Sequence, residues 1–287
     1  MTDMPEEVRQ ARLTGERAEF FAHDTTYVDT IFADGESPLK HSRNIELIDC
    51  AFQWKYPLWY AKNITTHGCT WFEMGRAGVW YTDHINVEDC TIEAPKNFRR
   101  CTNVTLRNTD LTHAEETLWS CSNVKLDNVV ARGDYLGMNC ESVVADRLRL
   151  VGNYPFDGAR NITITNSRLI SKDAFWNTQN VTVRDSYVSG EYLGWNSRNL
   201  TFENCTIESL QGLCYIENLT MRNCRFVNTT LAFEYSTVDV TAQGTIDSVI
   251  NPLSGTIQAD HIGELTLDPD RIDPSQTVIT TRESITA

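Results

Sequence analysis

The segment Asn161-Ile162-Thr163-Ile164-Thr165-Asn166-Ser167 recurs 19 residues later as Asn180-Val181-Thr182-Val183-Arg184-Asp185-Ser186, and this recurrence decides the fold. The same frame begins again at Asn199 and at Asn218. Extended along the chain, it starts every 19 to 21 residues at Asn44, Asn63, His84, Asn103, Asn123 and Ser142 and, more weakly, at Thr237 and Thr256, with a degenerate repeat at Asp24. A fixed period of this length is typical of repeat proteins in which each unit stacks on its neighbours.

Each repeat begins with an alternation of apolar and polar residues. In the repeat that starts at Asn161, the second and fourth residues are apolar and the third and fifth are polar. This pattern predicts a short strand with one buried face. The sixth residue is usually Asn or Asp, which tolerate left-handed backbone at turns. One repeat cannot bury its apolar face alone, so the repeats must stack with their strands about 4.8 Å apart.

The predicted fold class is therefore all-β: a single-stranded right-handed parallel β-helix, or solenoid, of about eleven coils with capped ends. Leucine-rich repeats have a similar length, but they need an L-x-x-L-x-L frame that this sequence lacks, and a hexapeptide period is also absent. We expect residues 1–23 to form an N-terminal cap, 24–255 the β-helix repeats, and 256–287 a C-terminal coil, cap and tail. Covered ends are expected because open coil edges invite pairing with other strands.

Stacking places equivalent residues of successive repeats in columns. The Asn residues at the first position are predicted to form hydrogen-bonded ladders. Eight of the nine cysteines share two columns, which buried reduced thiols explain without further chemistry. Five tryptophans also share a column, which alternation directs inward as an aromatic stack; exposed platforms for sugar rings are the alternative. These tryptophans are Trp59, Trp80, Trp119, Trp176 and Trp195.

Composition restricts the partners. The chain of 287 residues is 41% hydrophobic and 22% charged, which is ordinary for a globular protein, and its 25 Lys and Arg against 39 Asp and Glu give a net charge of −14. Such a charge disfavours nucleic acid and anionic membranes as partners. No apolar run approaches the roughly 20 residues of a membrane helix. The acidic N-terminus is unlike a signal peptide, and with columns of reduced thiols it predicts a cytoplasmic protein.

The closing run of each repeat is predicted to present an outward face rich in tyrosine, amides and charges. Alternation also places on this face the apolar residues Leu58, Phe98, Leu118, Phe156 and Phe175. Glu116 and Asp134 would lie on adjacent coils with their backbones about 5 Å apart. Because two close carboxylates tend to divide into an acid and a base, we predict these two as the catalytic residues.

Further residues of this face are predicted to bind the substrate. Lys96, Arg100 and Lys172 would position its negative charge. The aromatic and polar residues predicted beside them are Tyr135, Tyr154, Asp173 and Tyr192. We predict neither a metal site nor a cofactor, since none of the six His residues has the spacing of a ligand pair.

These predicted catalytic and substrate-binding residues indicate a protein that binds, or also cleaves, an oligosaccharide or uronide. As an enzyme it would be a carbohydrate-active hydrolase or lyase. The alternative is a non-catalytic protein-binding or self-assembling β-helix scaffold that forms a homo-oligomer through its aromatic face. Alternating charges along a β-helix also form structural ladders, which favours this alternative.

The repeated pattern Asn-[VIL]-Thr-[LIVFM]-x-[Asn/Asp]-[Cys/Ser/Thr] resembles the pectate-lyase-like superfamily of right-handed β-helices. Segments such as Trp54–Ala61, Glu115–Trp119 and Lys172–Asn177 resemble a bacterial family that carries only a domain-of-unknown-function label, and this resemblance runs from about Ala33 to Glu264. It implies the fold. No catalytic residue is carried over from it, because the catalytic Arg and calcium-binding Asp motifs of the pectate lyases have no counterpart in this sequence.

Overall fold

The computed structural model describes residues 6–282 and divides into two compact units, Met1–Arg149 and Leu150–Ala287. Each unit is built from short parallel strands joined by tight turns. Two 3₁₀ helices, Glu73–Gly75 and Pro274–Gln276, are the helical elements among the described residues. The prediction of an all-β parallel solenoid is confirmed.

The strands of the first unit are of two kinds, longer ones of four to six residues and shorter ones of two or three. They are β1 (Glu6–Arg9), β2 (Arg12–Leu13), β3 (His23–Val28), β4 (Ile31–Phe32), β5 (Arg43–Ile48), β6 (Ala51–Phe52), β7 (Leu58–Trp59), β8 (Lys62–His67), β9 (Thr70–Trp71), β10 (Val79–Trp80), β11 (Asp83–Glu88), β12 (Thr91–Ile92), β13 (Thr102–Arg107), β14 (Asp110–Leu111), β15 (Ser122–Asp127), β16 (Val130–Arg132) and β17 (Glu141–Asp146).

The longer strands form one parallel ladder, in the order β1, β3, β5, β8, β11, β13, β15 and β17. Their register is that of the repeat, with Ile85 beside Val104 and Val104 beside Val124. The shorter strands β2, β4, β6, β9, β12, β14 and β16 form a second ladder. Equivalent residues of successive turns are therefore direct neighbours, as the 19-residue period predicts.

The second unit follows the same plan. Its strands are β18 (Arg149–Val151, which starts at the last residue of the first unit), β19 (Arg160–Thr165), β20 (Arg168–Ile170), β21 (Gln179–Arg184), β22 (Tyr187–Gly190), β23 (Arg198–Glu203), β24 (Thr206–Ser209), β25 (Glu217–Val227), β26 (Thr237–Gln243), β27 (Thr245–Ile250), β28 (Ser254–Ala259), β29 (His261–Thr266) and β30 (Thr277–Thr281). The main ladder runs β19, β21, β23, β25, β26, β28, β30.

Eight turns in the first unit and seven in the second give about fifteen among the described residues, against the eleven expected. The additional turns lie where the repeat signature has faded. Residues 6–22, within the segment expected to be a cap, contain β1 and β2, which pair with β3 and β4. Residues 256–282 contain part of β28 and all of β29 and β30. The remaining parts of the two expected end segments, residues 1–5 and 283–287, lie outside the described residues.

The predicted Asn ladders are confirmed. The Nδ2 of Asn180 donates to the Oδ1 of Asn161 over 2.9 Å, and the Nδ2 of Asn199 donates to the Oδ1 of Asn180 over 2.8 Å. Each of these residues has a left-handed backbone, with φ between 55° and 58°. Asn suits this position because it tolerates the left-handed region better than most residues and its amide bonds both neighbours.

The interior is mainly apolar, and all nine cysteines are buried without a disulfide bond, as predicted for the eight that share two columns. In the first unit Phe32, Phe52 and Trp71 form a buried stack with ring centroids 4.8 Å apart at each step. That spacing equals the distance between neighbouring strands, so one aromatic residue per turn fills the core continuously.

Candidate functional site

The closing run of each turn bends where alternation predicts a strand. In one turn Glu116, Leu118 and Ser120 all have left-handed backbone, with φ of 51°, 60° and 54°. The two consecutive residues Thr117 and Leu118 are consequently both buried, at 2% and 1% exposure. Strict alternation fails here because the chain is not extended.

This bend reverses two orientations expected from the sequence. The apolar row expected on the outer face is buried, at 0–1% exposure: Leu58, Phe98, Leu118, Phe156 and Phe175. The tryptophan column expected in the core is half-buried at the surface instead. Its indole nitrogens donate to carbonyl groups further along the chain, as from Trp80 to the carbonyl of Lys96 over 2.9 Å and from Trp119 to that of Tyr135 over 2.7 Å. These hydrogen bonds from the indole N–H groups hold the rings at the surface.

Arg99 occupies the tryptophan column between Trp80 and Trp119. Isolated parallel bridges join Arg99 to both tryptophans. The Cζ atom of Arg99 lies 4.8 Å from the ring centroid of Trp80 and 4.4 Å from that of Trp119. A guanidinium group is planar and stacks well on aromatic faces, so this arrangement is a cation–π sandwich. Arg99 is not among the site residues predicted from the sequence, although its place in the tryptophan column is a signal for it.

Glu116 forms ion pairs with two cations, Arg99 and Lys96. Its Oε2 lies 3.0 Å from the Nη2 of Arg99 and 3.3 Å from the Nζ of Lys96. The backbone N–H of Glu116 donates to the carbonyl of Asp134 over 3.0 Å, so these two residues lie on adjacent turns as predicted. The side chain of Asp134 is exposed. The Glu116 carboxylate thus anchors the cations.

Arg100 ends an aromatic ladder next to the tryptophan column. The rings of His41 and Tyr60 stack with centroids 5.1 Å apart, and Tyr60 and Tyr81 stack at 4.8 Å and 4°. The Nη1 of Arg100 donates to the hydroxyl of Tyr81 over 3.4 Å. Because each ring covers the face of the next, this ladder presents ring edges and the Arg100 guanidinium to solvent.

We call this group of the first unit the cation–aromatic cluster. It comprises Trp80, Tyr81, Lys96, Arg99, Arg100, Glu116 and Trp119. Of the predicted site residues, Lys96, Arg100 and Glu116 belong to it. Tyr135 lies beside it, with its ring 6.4 Å from that of Trp119 and 37% of its surface exposed.

The other predicted site residues, Tyr154, Lys172, Asp173 and Tyr192, lie in the second unit. The Nζ of Lys172 is 3.8 Å from the Oε2 of Glu191 and 5.7 Å from the ring centroid of Tyr192. Asp173 differs from expectation, since it is 1% exposed and therefore does not present its carboxylate to a ligand in solvent. Burial raises its pKa, which Lys172 partly offsets.

Two further properties of the described residues bear on function. Nowhere in residues 6–282 do three His, Cys, Asp or Glu side chains group together as metal ligands. The same residues contain no helix of the length and apolarity that a membrane-spanning helix requires.

Comparison with known proteins places the chain in a family. The model of the family described as "Protein of unknown function (DUF3737)" matches residues 6–280. The chain belongs to this family. The comparison with curated proteins gives no match.

Two solved structures are among those similar to this chain. The surface adhesin PfbA of Streptococcus pneumoniae is 12% identical, with a TM-score of 0.33, over 93% of this chain and 71% of that one. The A-module of the mannuronan C-5 epimerase AlgE4 from Azotobacter vinelandii is 9% identical, with a TM-score of 0.30, over 98% of this chain and 88% of that one. At these values neither similarity supports a functional conclusion.

Proposed function

We propose that the cation–aromatic cluster binds an acidic oligosaccharide, such as a chain of uronate residues. The observation that carries this proposal is the presence of Lys96, Arg99 and Arg100 on one turn of a chain whose net charge is −14. One carboxylate, Glu116, neutralises part of that charge from within the cluster. A local group of cations on an acidic protein favours an anionic ligand.

The geometry of Arg99 supports recognition of a carboxylate. Its guanidinium is held between two indole rings and is bonded at one edge to Glu116, and its side chain is 21% exposed. A guanidinium that is already ordered loses little conformational entropy when it binds a further group. Arg100 and Lys96 are more exposed and supply charge at the same surface. The ring faces of the neighbouring ladder are covered and offer no surface on which a sugar ring can stack. The class of ligand is therefore determined by the three cations.

The proposal predicts charge-dependent binding. A Lys96→Gln/Arg100→Gln variant leaves the Trp80–Arg99–Trp119 sandwich intact, and we expect it to bind an oligogalacturonate at least tenfold more weakly in calorimetric titration. Arg99→Gln should have a similar effect. The same oligosaccharide with methyl-esterified carboxyl groups should bind weakly to the unmodified protein, because the ester carries no charge.

The matched control is Lys62→Gln/Arg107→Gln, which removes two exposed cations of the same unit that pair with Asp83 and Glu88 and not with a residue of the cluster. It should bind the oligogalacturonate as the unmodified protein does. Equal binding of the esterified and free oligosaccharides would contradict the proposal. So would an oligomer in solution that dissociates in Tyr135→Ser while no glycan binds, because that result favours the self-assembling scaffold.

Cleavage of the bound oligosaccharide by Glu116 and Asp134 stays a hypothesis. It is supported by their position on adjacent turns beside the cluster. If it holds, Glu116→Gln and Asp134→Asn abolish the release of shortened products, measured by chromatography, while Asp134→Asn still binds the substrate. Unchanged product release in both variants would contradict it.

A further inference from the structure

A surface cavity of about 410 Å³ lies in the second unit, and its lining contains none of the residues predicted from the sequence to form a site. Tyr215 and Tyr235 form its aromatic wall, and Leu253 contributes an apolar side chain that is 41% exposed. Arg198 and Glu217 lie in the same lining. This volume is in the range of small-molecule binding sites.

The aromatic wall is open because its rings do not stack in parallel. The rings of Tyr215 and Tyr235 are 5.4 Å apart and inclined by 52°, whereas Tyr60 and Tyr81 in the first unit are inclined by 4°. The Tyr235 hydroxyl accepts a hydrogen bond from the Nη1 of Arg271 over 3.5 Å. Tyr215 is 40% exposed. The ring of Trp195 also lies 4.4 Å from that of Tyr215, inclined by 38°. Rings inclined in this way cover each other's faces less completely than parallel rings do, so the exposed surface of this wall includes ring face.

The polar part of the lining carries balanced charge. The Nη2 of Arg198 lies 2.7 Å from the Oε2 of Glu217, and both side chains are more than half exposed. Asn196, at the same cavity, donates its Nδ2 to the Oδ1 of Asn177 over 2.8 Å. The lining thus offers hydrogen-bond donors and acceptors without excess charge, unlike the cation–aromatic cluster.

We propose that this cavity binds a neutral sugar of one or two rings. The less polar face of a sugar ring packs on Tyr215, Tyr235 and Leu253, and its hydroxyl groups bond to Arg198, Glu217 and Asn196. An uncharged ligand leaves the Arg198–Glu217 pair intact, whereas an acid would compete with Glu217 for Arg198. This site is independent of the proposed binding of uronates in the first unit.

The test uses the full chain and a panel of maltose, cellobiose and lactose. Trp195 is the reporter, since its ring lies 4.4 Å from that of Tyr215. We expect at least one disaccharide to change the tryptophan fluorescence saturably, and expect Tyr215→Ser and Tyr235→Ser each to weaken that binding at least tenfold. Saturation-transfer NMR on the same titration provides a binding signal that does not depend on the fluorescence of Trp195.

The control is Tyr187→Ser, which removes a tyrosine of the same unit outside the cavity lining. It should leave sugar binding unchanged, as should Lys96→Gln/Arg100→Gln. The absence of a saturable signal from all three sugars would overturn the proposal. It would also be overturned if Tyr215→Ser and Tyr235→Ser both bound the disaccharide as tightly as the unmodified protein does. If the unmodified protein binds a disaccharide but does not bind the oligogalacturonate, the result contradicts the proposed function and not the proposal for this cavity.

Discussion

At the scale of the residue, Arg99 shows how one substitution in a column changes the chemistry of a surface. Tryptophan fills the equivalent position in the turns on either side, and the guanidinium takes the place of an indole between two rings. The flat shape of the guanidinium preserves the stack, and its charge changes what the surface can bind. In the sequence, this change of surface chemistry is visible only because an arginine stands where the neighbouring repeats have tryptophan.

Asp173 gives a prediction at the same scale. Its carboxylate is buried, and its Oδ2 atom has no hydrogen-bond partner among the described residues. Burial raises its pKa in the folded state, so the stability it contributes is present at low pH and is lost as the pH rises through the folded-state pKa. We expect Asp173→Asn to raise the melting temperature at pH 7 by a few degrees.

The pH dependence is the discriminating measurement for Asp173. The difference in melting temperature between Asp173→Asn and the unmodified protein, followed by circular dichroism, should shrink as the pH falls from 7 toward 4. A difference that stays constant with pH would show that ionisation of Asp173 is not its cause. A lower melting temperature in the variant at pH 7 would contradict the prediction directly.

At the scale of the element, the corners of each turn decide the orientation of the strands between them. Asn180 has a left-handed backbone with φ of 58° and shares amide hydrogen bonds with Asn161 and Asn199. The side chain therefore has two separable contributions: tolerance of the corner conformation, and a link to the turns on either side.

Substitutions at Asn180 separate these contributions. Asn180→Ala loses both hydrogen bonds and places an alanine in the left-handed region, and we expect it to lower the free energy of unfolding by about 2 kcal/mol. Asn180→Gly loses the same bonds but adopts the conformation freely, so its loss should be about 1 kcal/mol smaller. Urea denaturation measures both. Equal losses of unfolding free energy in the two variants would mean that tolerance of the left-handed backbone contributes nothing to stability at this position.

The sequence predicts the first strand of each turn well and the closing run poorly, for a physical reason. The run from Ile162 to Thr165 alternates because its chain is extended between the left-handed residues Asn161 and Asn166, and its buried face follows the pattern. The closing run alternates in composition too, but residues such as Glu116 and Leu118 have left-handed backbone, which period-2 reasoning does not include. Period-2 alternation therefore places the apolar row on the wrong side, and it favours the wrong one of the two orientations open to the tryptophan column.

At the scale of the whole molecule, the period of 19 residues was sufficient to predict the fold class and the neighbours of most residues. It was not sufficient to count the turns, because β1 and β30 belong to the ladders without carrying the repeat signature, and β3, β26 and β28 carry it only weakly. The candidate site was partly predictable: the sequence named Lys96, Arg100 and Glu116. It missed Arg99, whose signal is its place in the tryptophan column, and it missed the cavity at Tyr215 and Tyr235, which depends on the inclination of the rings.

Each turn carries its own corner residues and bonds to the next through the same few atoms, which affects how such a chain can change its length. Adding or deleting one complete repeat leaves every remaining side chain on its original face, whereas an insertion of a few residues within a strand misdirects the side chains that follow it. Growth and shortening are therefore tolerated in whole repeats. New binding surfaces can arise by duplicating a turn and altering one exposed position in the copy.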